Sequence, residues 1–571
     1  MSVVNPDRAF GCLRLRNFAG IESTGARDGG GGMRDMVNFR PCPDGSLKTR
    51  CGYERILTFP GELRAFYGGH ADHGETMYAV VGDEILEFSD DGSGGYTVVG
   101  TTARKTGEAM LLSAFGALWL LDGGDLYKKQ EHTFVHAEGY VPLYGVDWDP
   151  ELMGEVHEEV NLLTPRVRIR YRNDLRSEVL RFGRSAAWIG SICCDGTAIP
   201  MEGVTLSGDG TYCECPLFAE CTEIEVLLTL DVGDLRSRIT GCTRNLKYSD
   251  GQRERILMRG GEDLTSVYIS RAVSSGAAAE SDRACATRGG EWYFPEHAGV
   301  YRLDAPILGG CRFYDRVMLF SASGAWVADL SEDRPAMVRV HGTVGCDQSD
   351  CAVLCGDVPV SYCGGRLYRW RMRSDAHNAY TAEVLSEEIS EELLMMQGKK
   401  TVMRYFDSRG ELWIVHPNRS GGEVRIYHME KATFYRFRDV PMDMLLPSYG
   451  DARFLSGGVL YTFRESLETD SGAAIRASYE GGYFDFGHPE RKKHLLRAFV
   501  ECDPNGGEMT VYLFGEAGGA SAMTLNGGGA GIPIGIERRV SMGRFRLLRI
   551  RIETETKCRQ SVYGITLTAR K

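Results

Sequence analysis

YAVVGDEILEF, residues 78–88, is an apolar strand, a Gly-Asp turn and a second apolar strand, the pattern of a tight β-hairpin. The same template returns in LWLLDGGDLYKK (118–129), VMLFSASGAWVADL (317–330), PVSYCGGRLYRW (359–370), ELWIVHPNRSGGEVRIYHM (411–429) and FLSGGVLYTF (454–463). The turns at Gly82, Gly123, Gly324, Gly364, Gly421 and Gly457 follow one another at 41, 201, 40, 57 and 36 residues. Leaving out the long gap, this is close to the period of about 40–50 residues of propeller blades. A four-stranded blade buries its faces only against neighbouring blades, so the unit must recur. The expected fold class is all-β: a β-propeller with an inserted β-sandwich and a C-terminal β-sandwich.

The long gap places the insertion. NLLTPRVRIRYR (161–172), VLRFGRSAAWIGSICCDGTAIP (179–200) and TEIEVLLTLD (222–231) are alternating strands with glycine turns, enough for a small sandwich. The last hundred residues change texture again, through 477–503, EMTVYLFGE (508–516) and RFRLLRIRIETE (544–555). There Leu548, Ile550 and Ile552 alternate with Arg549, Arg551 and Glu553, the signature of a strand with one buried face. The expected order is an N-terminal extended segment (1–55), a first set of blades (56–155), the inserted sandwich (156–232), a second set of blades (233–470) and the C-terminal sandwich (471–571). SEEISEELLMMQ (386–397) is the single helix candidate, with Ser386 or Ser390 as its cap and Gly398 as its stop.

Composition narrows the class. The 571 residues are 43% hydrophobic and 25% charged, as in a soluble globular protein, and 71 glycines fit many short strands joined by tight turns. No apolar run approaches the roughly 18–20 residues of a membrane span. MSVVNPDRAF lacks the basic and apolar regions of a signal peptide, so the chain is expected to stay in a cytoplasm or leave it by lysis. The 17 cysteines fit no zinc or disulfide spacing and are expected as buried free thiols. A net charge of −12 argues against a protein that grips nucleic acid, and does not exclude one past which DNA slides.

Candidate chemistry is sparse. His70, Asp72 and His73 offer two imidazoles and a carboxylate without a further ligand, and read as a solvated turn. His157-Glu158-Glu159 lacks the second histidine of a zinc protease. Gly29 to Gly32 has no following Lys-Ser/Thr and reads as a linker. There is no Gly-x-Ser-x-Gly elbow, and Ser89-Asp90-Asp91-Gly92 is a lone, partial match to a sialidase turn. No catalytic residue, cofactor or metal is expected.

A further run, MRDMVNFRPCPDGSLKTRCGY (33–53), opens on Asn38, turns at Asp44-Gly45, carries Lys48 and Arg50, and closes on Gly52-Tyr53. It resembles the opening of the tail nozzle and packaged-DNA stabilisation proteins of short-tailed phages and related virion proteins of Gram-positive phages, with Cys51 where that family has proline. The inserted NLLTPR segment, Tyr293-Phe294-Pro295-Glu296, and FDFGHPERKKHLLR (484–497) resemble further elements of the family, in the same order. The resemblance implies a virion structural protein assembled in the host bacterial cytoplasm. It would form a homo-oligomeric, sixfold ring in the tail or head–tail connector, between portal, adaptor or tail proteins, with packaged DNA passing through and no sequence-specific contact.

Two sets of side chains are candidates for contacts. Arg166, Arg168, Arg170 and Arg172 alternate on one strand face, and Arg491, Lys492 and Lys493 form a basic run; both are candidate subunit contacts, by pairing with carboxylates of a neighbouring protomer. Tyr127, Trp326, Tyr368, Trp413, Tyr427 and Tyr461 are expected to pack between blades. Their rings could instead stack sugars, which keeps open a carbohydrate-binding or tail-tip propeller and, behind it, a glycoside hydrolase.

Overall fold

The computed structural model describes residues 10–16, 18, 33–69, 76–144, 158–251, 253–274, 292–331, 335–372, 380–387, 393–394, 400–416, 422–448, 450–527 and 532–570. His70, Asp72, His73, His157 and Gly29–Gly32 lie outside these residues, as does most of the helix candidate at 386–397. Ser386 is buried, and its hydroxyl oxygen accepts the Leu367 N–H at 3.0 Å.

The chain divides into two compact units: residues 1–60, 90–95 and 350–571, and residues 61–89 and 96–349. In the second, four-stranded antiparallel sheets run in chain order over 63–101, 110–136 and 309–341, and a fourth spans 244–302 with one short added strand. Many of the hairpins turn on a glycine with positive φ, among them Gly82, Gly116 and Gly123. Gly82 has φ 58° with nothing near a would-be Cβ, so its conformation and not crowding selects glycine there. Alternate residues of neighbouring sheets interlock: Tyr78, Val80 and Ile85 with Leu118, Leu120 and Tyr127, and Tyr248 and Leu257 with Val317, Leu319 and Trp326.

Between the 110–136 and 244–302 sheets in the chain stands the insertion. It is a four-stranded sheet built on Arg166–Arg172, Glu223–Leu230 and Ala186–Cys194, with a three-stranded sheet of Val179–Arg181, Tyr212–Glu214 and Thr205–Leu206. Val167, Ile169 and Tyr171 face its core, which is continuous with Trp119, Ile256 and Trp292.

The first unit holds four-stranded meanders over 352–384 and 402–440 and the sheet of 444–463, followed by the C-terminal sandwich. In the sandwich, Leu548, Ile550 and Ile552 are buried while Arg549, Arg551 and Glu553 are half-exposed, as their alternation requires. The fold is all-β: a β-propeller with an inserted β-sandwich and a C-terminal β-sandwich.

Candidate functional site: the N-terminal strap and the arginine strand

In the first unit, one short run enters three sheets. β1 (Phe10–Leu15) lies along Ser561–Arg570. β2 (Met33–Val37) pairs with the sandwich strand Ile475–Phe484, and Val37 also bridges Arg436 of the 402–440 sheet. β3 (Phe39–Pro41) and β4 (Leu47–Thr49) form a hairpin, and β4 continues onto Ser561–Arg570. The hairpin turns because Asp44 Oδ1 accepts the Ser46 N–H at 3.0 Å and its hydroxyl at 2.6 Å, while Gly45 takes φ 84°. β5 (Tyr53–Thr58) then supplies the fourth strand of the 444–463 sheet.

Two buried polar centres hold this strap. Asn38 sits at φ 57°, a conformation asparagine tolerates better than most residues. Its Nδ2 donates to the carbonyls of Arg476 (2.7 Å) and Arg438 (3.3 Å), and its Oδ1 accepts from Arg438 N–H (2.9 Å) and Arg50 Nε (3.0 Å). Arg50, its side chain fully buried, forms a bidentate pair with Asp470 at 2.7 and 2.6 Å. Its guanidinium carbon also lies 5.5 and 5.8 Å from the ring centroids of Phe437 and Phe463. Gly52 admits no side chain: a Cβ would stand 1.9 Å from the Thr469 carbonyl oxygen.

The second centre is Glu411, wholly buried at the start of a strand that carries Trp413. Tyr435 Oη donates to one of its oxygens at 2.6 Å, Trp413 Nε1 to the other at 2.9 Å, and Arg40 completes an ion pair. Arg40 and Arg559 both reach Glu465. Burial pushes the Glu465 carboxyl up, but Arg40, Arg559 and Arg409 outweigh it and hold the group at about 2. Burial raises the Cys51 thiol, against the pull of Arg409 at 3.5 Å, so it stays protonated and unreactive. Both carboxylates of this centre are engaged by arginines, and Glu411 also by Trp413 and Tyr435, which suits holding strands together rather than catalysis.

The second unit contains a similar lock. Asn161 Nδ2 donates to the carbonyls of Tyr140 (2.8 Å) and Trp292 (2.9 Å), and its Oδ1 accepts the Phe294 N–H at 3.0 Å. Glu159 Oε2 accepts the N–H groups of His297 (2.7 Å) and Ala298 (3.0 Å). NLLTPR and Tyr293-Phe294-Pro295-Glu296 are therefore two halves of one contact.

The candidate contact residues divide. Arg166 pairs with Glu138 (2.7 Å), Arg170 with Glu225 (3.1 Å) and Glu223 (3.4 Å), and Arg172 with Asp174 (3.2 Å), all half-exposed to exposed. Arg168 makes no ion pair among the described residues. Arg491 and Lys492 are exposed. Lys493 differs: it is buried, and its ammonium donates to the carbonyls of His488 (2.5 Å), Arg491 (3.1 Å) and Arg546 (2.8 Å). Its positive charge is thus used inside its own domain, where it closes the 488–493 turn and ties it to the segment at Arg546.

Trp413 is packed edge-on among Phe406, Phe437 and Phe463, and Tyr461 stacks on Phe454. Among the described residues every cysteine is a free thiol, most of them buried. No group of three or more His, Cys, Asp or Glu among those residues is placed to hold a metal ion. No described helix is long and apolar enough to cross a membrane. Sequence reading singled out Asn38 and Arg50 but not Glu411, Glu465 or Asp470; a lone glutamate opening the apolar ELWIV strand was the available signal for the first.

No protein-family model matches the chain, and no curated protein does. Solved structures similar to it include the extracellular domain of the one-component system BT4673 from B. thetaiotaomicron (8% identity, 89% of this chain and 61% of that one, TM-score 0.36). Others are the WD40 β-propeller domain of Doa1 (11%, 73% and 98%, TM-score 0.34) and the exo-β-1,3-galactanase of Phanerochaete chrysosporium (7%, 91% and 100%, TM-score 0.22). The chain spans 61% of the length of the first of these. Identities and scores this low carry no function across, and the fold class stands on the strand order of the chain itself.

Proposed function

We propose that this chain is a bacteriophage virion structural protein, a ring-forming component of the tail nozzle or head–tail connector that extends the DNA channel and helps retain and release packaged DNA. The observation that carries the reading is where the resembling motifs fall. Asn38 and Arg50, Asn161, the Tyr293–Glu296 step and Lys493 are the residues whose side chains or backbones tie distant segments together. A motif kept for catalysis would present its polar groups to a substrate; these spend them on backbone carbonyls and buried carboxylates. That suits a mechanical part, whose strands must not slip under load.

The acidic balance of −12 fits the same role, since a wall that repels phosphate lets DNA move past without adhering. Arg166, Arg170 and Arg172, together with Arg491 and Lys492, are the exposed groups through which neighbouring protomers would pair. The partners are further copies of this chain, the adjoining portal, adaptor or tail proteins, and DNA in transit. Negative-stain microscopy of the purified chain, and of particles that contain it, tests the reading. Closed rings with a central channel support it; single copies in both settings overturn it.

A further inference from the structure

In the second unit a pocket of about 450 Å³ opens between the 110–136 sheet, the residues that follow it and the arginine strand, lined among others by Trp119, Lys128, Glu138, Arg168 and Trp292. The volume falls within the roughly 300–1,000 Å³ of small-molecule sites. Lys128 lies directly across the strand pair from Trp119, its ammonium 5.1 Å from the indole centroid. Arg168 is the member of its row that lacks a carboxylate: Arg166, Arg170 and Arg172 each have one, Arg168 none among the described residues. The one carboxylate on the wall among the described residues, Glu138, is taken by Arg166 at 2.7 Å.

The pocket therefore gathers two cations, Lys128 and Arg168, that no carboxylate pairs among the described residues, in a protein whose overall charge is negative.

We infer that this pocket binds a small organic anion about the size of one sugar ring, its carboxylate or phosphate held by Lys128 and Arg168. Charge-assisted bonds to both groups supply the affinity. The inference does not rest on ring formation and holds for a monomer as for an assembly.

The test is isothermal titration calorimetry on the full chain with D-glucuronate and D-glucose 6-phosphate, and with D-glucose as the neutral control. At least one anion is expected to bind and glucose not. Lys128→Gln and Arg168→Gln are each expected to weaken binding about tenfold or more, as loss of a charge-assisted bond requires. Arg172→Gln, on the same strand but outside the pocket, is expected to leave affinity unchanged. Binding of glucuronate alone marks a carboxylate site, and of the phosphate alone a phosphate site. Failure of both anions, equal binding of glucose, or indifference to Arg168→Gln overturns the inference. Should the variants not fold, wild-type affinity that does not fall with added salt overturns it equally.

Discussion

Arg50 and Arg170 are both strand-associated arginines facing carboxylates, yet their surroundings give them opposite weight. Arg50 is wholly buried, paired through two nitrogens to Asp470, and seated on Phe437 and Phe463. Arg170 is about a third exposed and shares Glu223 and Glu225 across an open sheet face. In the strap, the charges were desolvated to make one geometry obligatory, and removing either partner strands the other. On the arginine strand, water competes with each pair, so the pairs can be exchanged for others. The lesson is that the two regions use one residue type for different ends: the first fixes the fold, the second keeps charge available at the surface.

The sharpest way to break this comparison is Arg50→Ala. It leaves Asp470 without its buried partner and Asn38 Oδ1 with one of its two donors, the Arg438 N–H, and is expected to cost about 3–5 kcal/mol in urea unfolding followed by tryptophan fluorescence. A loss no larger than that of a surface arginine would show that the strap is not what fixes the first unit. Next comes Gly52→Ala, whose Cβ would meet a backbone oxygen at 1.9 Å. Because backbone and not a flexible side chain must give way, a destabilisation of about 1–3 kcal/mol is expected, read in the same unfolding curves.

Acid probes the strap and its surroundings more gently. The Glu465 carboxyl is held at about 2 against 4.5 unfolded, so the unfolded chain binds its proton first. Its contribution is full above about pH 4.5 and fades as the pH falls toward 2. Burial and Lys431 lower the His428 imidazole below 6.5, so its contribution is full above about pH 6.5 and declines below that value. Thermal melts between pH 7 and 3 should fall in these two steps, and His428→Gln should remove the upper one. The smallest effect is expected from Arg172→Ala, about 0–1 kcal/mol, since its pair with Asp174 is exposed on both sides.

What was legible in the sequence follows the same division. The hairpins could be read because a period of two and a Gly-Asp turn are local, and Leu548, Ile550 and Ile552 fall on the buried face their alternation assigned. The polar centres could not, because their partners are distant: Asp470 is fixed opposite Arg50 only once β5 has joined the 444–463 sheet. Local pattern carries no information about which strand will arrive last. Lys493 shows the same limit, since an Arg-Lys-Lys run looks solvated until the carbonyls of His488, Arg491 and Arg546 converge on its third member. Asn38 and Arg50 stood out in the sequence as landmarks, but their buried bonds appear only in the folded chain.

The central claim, that the chain works as a ring-forming virion part, is tested most directly by mass photometry of the purified 63.2 kDa chain over a concentration series, alone and released from particles that contain it. The account expects a closed oligomer at a single integer multiple of that mass, sixfold by the resemblance, weakened by charge reversal at Arg166, Arg170 and Arg172. A species that stays at 63.2 kDa in both settings would contradict it.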